Sequence, residues 1–142
     1  MSQPAEAQVA VVPTAEVSPG TQRTCLVVDD SRVVRRIARG ILEAQGFAIV
    51  EAEDGQKALE AVRAEMPHAI LLDWNMPVMN GIEFLRALKS EFGDTAAPVV
   101  FCTTENEMSF ILEAMGAGAT EYIMKPFDAE ILASKFEQAG LL

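Results

Sequence analysis

The chain has 142 residues, half of them hydrophobic and 23% charged, with a formal net charge of −10. That length suits one domain with its own core, and the negative balance disfavours nucleic acid and anionic membrane surfaces, which recruit clustered Lys and Arg. No apolar run approaches a membrane span, and the N-terminus lacks the basic region and long apolar stretch of a secretory signal, so the expected setting is cytoplasmic.

Met1 to about Gln22 is rich in Ala, Val, Pro, Gln and Thr, with Pro4, Pro13 and Pro19 interrupting any period. It reads as a flexible tail ahead of a domain over 23–142. Within the tail, Val9-Ala10-Val11-Val12 could dock as an added strand, though disorder is the favoured reading. A strand is expected over about 24–28, then a helix with Ser31 as N-cap and Val33, Val34, Ile37, Ile41 and Leu42 at helical spacing, closed near Gly46. A second strand spans about 48–52. Asp54-Gly55 opens a helix that turns Ala58, Leu59 and Val62 inward and stops before Pro67.

The third strand is 69–72, followed by a loop over 73–81 and a helix carrying Ile82, Leu85 and Leu88. Strands at 99–102 and about 121–124, with helices at about 106–115 and 129–139, complete five βα units. Such an alternation predicts an α/β fold, a parallel sheet with helices on both faces. No output domain is expected after the fifth helix. Cys25 and Cys102 fall in strands without CxxC spacing and read as inert core thiols of a reducing compartment.

Polar residues stand where the apolar strands end: Asp29-Asp30, Asp73, Thr103 and Lys125. In an open parallel sheet the strand C-termini form the ligand-binding edge. Three carboxylates, a hydroxyl and an ammonium therefore converge on one pocket, suited to a hard divalent cation and a phosphoryl group. Neighbouring strand residues point to opposite faces, so only the turn after the first strand can aim both Asp29 and Asp30 at one point. The plainer alternative is that one of them caps the first helix and the other is solvated. Clustered carboxylates raise at least one pKa in the empty site. An oxygen-only, sparse ligand set favours magnesium. Lys125 reads either as a phosphoryl contact or as a surface lysine, and its bond to Pro126 is a candidate cis peptide. Either Thr103 or Thr104 can offer the hydroxyl, the first of the two being favoured; the plainer alternative is helix capping.

Taken together, Asp29-Asp30, Asp73-Trp74-Asn75-Met76-Pro77-Val78-Met79-Asn80-Gly81, Thr103 and Lys125-Pro126-Phe127 resemble the receiver domain of bacterial two-component response regulators, closest to the single-domain chemotaxis type. The resemblance covers about Thr24 to the C-terminus. It implies a flavodoxin-like sheet of order 2-1-3-4-5 with Asp73 as phosphoacceptor. It further implies magnesium held by Asp30 and Asp73 side chains, by Asp29 through water and by the Asn75 carbonyl. Thr103 and Tyr122 would form the switch, Lys125 would contact the phosphoryl group, and Asn75 and Glu105 would tune its hydrolysis. The donor would be a histidine kinase or phosphotransfer protein, and the output a helix 4/strand 5/helix 5 surface on a monomer that dephosphorylates itself. An aspartate-based phosphatase of the haloacid dehalogenase type also uses a strand-end Asp and magnesium. It needs a second acid two residues on, where this chain has Asn75. A flavin-binding electron carrier needs a Ser-, Thr- and Gly-rich loop where this chain has Asp29-Asp30-Ser31-Arg32.

Other features stand out. The fourth helix is apolar on more than one face, so Met108, Ile111 or Met115 is expected in a docking patch. Between Phe101 and Met124 there are four Glu and no Lys or Arg, which fits a basic or apolar partner. Of Arg32, Arg35, Arg36 and Arg39, the spacing puts Arg32, Arg35 or Arg36, and Arg39 along one helix side, as a dock for an acidic phosphotransfer bundle or as a solvated basic face. His68 is expected exposed and inert, and Trp74 near the site.

Overall fold

The computed structural model describes residues 22–104 and 108–142. Chain order is β1 (Thr24–Val28), α1 (Arg32–Ala44), β2 (Ala48–Ala52), α2 (Gly55–Ala64), β3 (Ala69–Asp73), α3 (Gly81–Phe92), a 3₁₀ turn (Gly93–Thr95), β4 (Val99–Thr103), α4 (Met108–Gly116), β5 (Glu121–Met124) and α5 (Ala129–Gln138). The strands form one parallel sheet of order β2-β1-β3-β4-β5. The architecture is the flavodoxin-like α/β fold expected from the resemblance. Residues 1–21, including Val9–Val12, and residues 105–107, including Glu105, lie outside the described residues.

The three central strands are buried on both faces, which is why they are near-continuous apolar runs. Their alternate residues feed two cores. Leu26, Val28, Ile70, Leu72, Val99 and Phe101 pack towards α2, α3 and α4. Cys25, Val27, Ala69, Leu71, Val100 and Cys102 pack with Ala38, Leu42, Leu132 and Phe136 of α1 and α5. Each fully buried large side chain, such as Phe84, Phe101 or Phe136, contributes about 2 kcal/mol of apolar transfer free energy. Cys25 and Cys102 are free and buried, as expected.

Helix starts follow local capping chemistry. Ser31, Asp54, Asn80 and Asp128 each accept a hydrogen bond from a first-turn N–H, and Asn80 with Glu83 closes a capping box. Ser31 therefore caps α1, and neither Asp29 nor Asp30 does. Gly46, at φ +97°, lets the chain leave α1 through a conformation that a Cβ would penalise.

The structure refines several expectations. Of the apolar residues at helical spacing in α1, Leu42 is buried beside Ala38, while Val33 and Ile37 stand 67% and 50% exposed. Ile111 is buried, so it lies beneath the α4 surface; Met108 and Leu112 are the exposed residues there, with Met115 beside them. His68 is exposed, as expected, and its Nδ1 accepts the Thr24 N–H at 3.0 Å. The α1 arginines are not uniformly solvated: Arg35 and Arg39 both bind Glu51, at 2.8 and 2.7 Å.

Candidate functional site

β3 and β4 each run one residue further than their apolar runs suggest, so Asp73 and Thr103 are the last residues of their strands. Asp29 and Asp30 follow β1 directly. The C-terminal sheet edge thus collects Asp29, Asp30, Asp73, Thr103 and Lys125, as the sequence predicts. One carboxylate oxygen from each of Asp29, Asp30 and Asp73 lies within 4.8 Å of the others. Asp29 and Asp73 are buried, at 3% and 4% exposure, and Asp30 is exposed. A cation can therefore enter from the Asp30 side and meet three hard oxygen donors, a set that fits magnesium or calcium better than soft metals.

Asp29 is held from three directions. Its Oδ1 accepts the Ser31 N–H at 2.9 Å, its Oδ2 accepts from Lys125 Nζ at 3.0 Å, and its carbonyl accepts from Arg35 Nη1 at 2.7 Å. Sequence reasoning missed Arg35 here, because only the fold shows that the first turn of α1 passes over the Asp29 carbonyl. Lys125 also pairs with Asp73 Oδ1 at 2.9 Å and is largely buried. It is therefore not the surface lysine of the plainer reading. Its backbone N–H donates to the Thr103 carbonyl at 2.9 Å, and the Lys125–Pro126 bond is cis.

The electrostatics follow from this crowding. Burial pushes the Asp73 carboxyl up to about 6, reinforced by Asp29 and Asp30 and opposed by the Lys125 hydrogen bond. Burial works against the Lys125 ammonium, yet its hydrogen bonds to Asp73 and Asp29 outweigh that cost and raise its pKa. The ammonium is the positive charge that keeps two buried acids together.

Thr103 is fully buried while Thr104 is exposed, which separates the two candidate hydroxyls. Asn75 is exposed in the loop after Asp73. Tyr122 is half-buried on β5, with Lys135 Nζ 4.5 Å from its ring centre. Trp74 packs against Phe101 and Phe110, at centroid distances of 6.2 and 4.8 Å, linking the Asp73 loop to α4.

The 73–81 loop is fixed by its backbone. Trp74 N–H donates to the Cys102 carbonyl, Gly81 N–H to the Trp74 carbonyl and Gly55 N–H to the Met79 carbonyl, each at 3.0 Å. At its tip Met79 N–H donates to the Pro77 carbonyl at 2.7 Å, forming a three-residue turn that puts Val78 at φ +69°. A β-branched residue is strained there. Val78 is also 81% exposed, so its side chain recovers little by packing. Val78→Asn is expected to stabilise the protein by about 1 kcal/mol, read as a higher urea midpoint. An unchanged or lower midpoint would show that the turn is not strained.

Comparison with known proteins agrees with this geometry. The family model described as the response regulator receiver domain matches residues 25–137. The chemotaxis protein CheY of Pseudomonas aeruginosa is 39% identical over 114 residues, covering 80% of this chain and 92% of that protein. CheY1 of Helicobacter pylori is 38% identical over 114 residues, covering 79% and 92%. Among solved structures, the chemotaxis response regulator CheY4 of Vibrio cholerae superposes with a TM-score of 0.76 at 33% identity, covering 84% of this chain and 99% of that one. A CheY-like receiver domain protein from Methanospirillum hungatei gives 0.75 at 25% identity, covering 82% and 92%. Fold, motif order and sequence relatives agree: this chain belongs to the response regulator receiver domain family, among its CheY-like members.

Proposed function

We propose that this protein is a phosphorylatable signalling switch whose Asp73 accepts a phosphoryl group from a histidine kinase or histidine phosphotransfer protein. The observation that carries the reading is the buried Asp73 carboxylate, 2.9 Å from Lys125 Nζ and inside a three-carboxylate cluster. Asp30 and Asp73, with Asp29 and the Asn75 carbonyl, would hold Mg2+. When bound, that ion supplies positive charge against the equatorial phosphoryl oxygens. An Asp73 oxygen attacks phosphorus in line, its new O–P bond replacing the P–N bond of the donor imidazole. Lys125 stays beside the developing charge and needs no reorganisation to meet it. Water later attacks phosphorus and releases phosphate, returning Asp73 to its carboxylate, with Asn75 and Glu105 tuning that approach. The phosphatase reading fails on Asn75, whose amide cannot act as a general acid there.

Phosphorylation draws the Thr103 hydroxyl towards Asp73, and Tyr122 moves inward as the start of α4 shifts. This is a two-state element biased by local charge. The output surface is the α4/β5/α5 face, where Met108, Leu112, Met115 and Ile131 are exposed. Glu113 and Glu121 on that face are engaged by Arg86 and Lys135, so apolar anchoring outweighs charge in its recognition. The protein acts as a monomer in the cytoplasm.

Acetyl phosphate with magnesium tests the reading. Intact-mass measurement should show one added phosphoryl group, absent when the metal is chelated. An unlabelled protein would overturn it. Because Trp74 adjoins Asp73 in sequence, magnesium alone should quench its fluorescence in a saturable way, and Asp30→Ala should weaken the apparent affinity about tenfold or more. An unresponsive tryptophan with unimpaired labelling would contradict the assigned ligand set.

A further inference from the structure

We propose that Arg35 is a positioning residue for the cation site, aimed by the Glu51 carboxylate, a role that rests on the magnesium reading above and deepens it. The carboxylates of Asp29, Asp30 and Asp73 lie close together and repel one another. The turn that carries two of them opens unless something fixes it. Asp29 is fixed at its side chain, by the Ser31 N–H at 2.9 Å and Lys125 Nζ at 3.0 Å. Asp30 is exposed, and its carboxylate makes no hydrogen bond among the described residues. Its aim is therefore set by the backbone that precedes it.

That backbone is the Asp29–Asp30 peptide, a rigid plane. Arg35 Nη1 donates to its carbonyl oxygen at 2.7 Å. Holding that oxygen fixes the plane, and with it the direction in which Asp30 leaves the turn. The guanidinium is itself held. Its Nε donates to Glu51 Oε1 at 2.8 Å, with the arginine side chain 15% exposed. The other Glu51 oxygen accepts from Arg39 Nε at 2.7 Å, which keeps the carboxylate from turning away. The next residue of β2 supports the same turn through the backbone, since the Ala52 carbonyl accepts the Asp29 N–H at 3.1 Å. The end of β2 thus grips Asp29 twice, once directly and once through Arg35.

Arginine suits this task and lysine does not. A guanidinium sends two donors in fixed, different directions, which one ammonium on a flexible stem does not reproduce. The placement also has a cost, because a positive charge near the site repels a cation. The two effects have opposite signs and can be separated. Charge repulsion alone makes Arg35→Met a tighter Mg2+ binder and Arg35→Lys a match for wild type. A positioning role makes both variants weaker binders.

Mg2+ titration of the full-length chain, followed by Trp74 fluorescence and by thermal melts, is the test. Arg35→Lys and Arg35→Met should each lose about tenfold in apparent affinity. Glu51→Gln offers one acceptor oxygen where the carboxylate offers two, so it should lose less. Added to Arg35→Met it should cost nothing further, because both substitutions act through one chain of contacts. Labelling by acetyl phosphate gives the second readout. The Mg2+ concentration for half-maximal rate should rise with the affinity loss, while the rate at saturating Mg2+ stays within about twofold of wild type. General damage to the fold would lower that saturating rate as well, and such a result counts against a positioning role. Either Arg35 variant binding Mg2+ as tightly as wild type, or more tightly, overturns the proposal, and so does full additivity of Glu51→Gln with Arg35→Met. A wild type whose fluorescence and melt both ignore Mg2+ would instead sink the magnesium reading, and this inference with it.

Discussion

Gly81→Ala is expected to lower stability by about 3 kcal/mol and the rate of labelling by acetyl phosphate by about tenfold. A Cβ at position 81 would sit 2.3 Å from the Asp73 carbonyl oxygen, 3.1 Å from Trp74 Cα and 3.2 Å from the Asp73 carbonyl carbon. All three are backbone atoms, so no rotamer change relieves the clash. Relief requires the Asp73–Trp74 peptide to move, which strains the Gly81 N–H to Trp74 carbonyl bond and displaces the carboxylate from Lys125. Gly40 is the control. Nothing lies within 4 Å of its ideal Cβ, on the exposed part of α1. Gly40→Ala should therefore gain about 0.5 to 1 kcal/mol from helix propensity alone. Urea denaturation of both variants checks the pair. Equal effects would mean that the close approach at Gly81 does not govern the loop.

Asp73→Asn is expected to stabilise the metal-free protein at neutral pH, although it removes an ion pair. The Asp73 carboxyl keeps its proton up to about pH 6 in the folded chain, against an ordinary value of 3.8. Between those values the unfolded chain ionises first, so the folded state binds more protons and wild-type stability falls as pH rises. The full interval corresponds to a ceiling of about 3 kcal/mol. The net gain for Asn is about 1 to 2 kcal/mol, because Lys125 keeps Asp29 but loses its second carboxylate. Thermal melts in chelator should show the variant above wild type at pH 7.5 and the gap closing towards pH 4. Magnesium at pH 7.5 should raise the wild-type melt and leave the variant nearly unmoved. A variant less stable at every pH would mean that the Lys125 pair outweighs carboxylate crowding.

What the sequence reveals depends on how locally each feature is determined. Strands β1, β3 and β4 are legible because burial on both faces leaves an unbroken apolar run, and the polar residue ending each run marks the site edge. Helix starts are legible because Ser31, Asp54, Asn80 and Asp128 are chemically required where they stand. The failures are long-range. Apolar spacing along α1 does not single out its buried face, which Ala38 and Leu42 occupy while Val33 and Ile37 stand exposed. Helix spacing cannot tell Ile111 from Leu112 in a helix that is apolar nearly all round. Glu51 recruits Arg35 and Arg39 from a different element, a pairing that no local pattern encodes. The Gly55 and Gly81 contacts that clamp the Asp73 loop depend on backbone approach across the fold, for which a lone glycine in sequence is a weak signal.

If Asp73 accepts the phosphoryl group, it and no other acid of the cluster becomes the acyl phosphate. Borohydride reduction of protein labelled by acetyl phosphate converts an aspartyl phosphate to homoserine, and peptide mass spectrometry then locates it. Homoserine is expected at position 73 alone, and none in Asp73→Ala. Homoserine at Asp29 or Asp30, or labelling undiminished in Asp73→Ala, would contradict it.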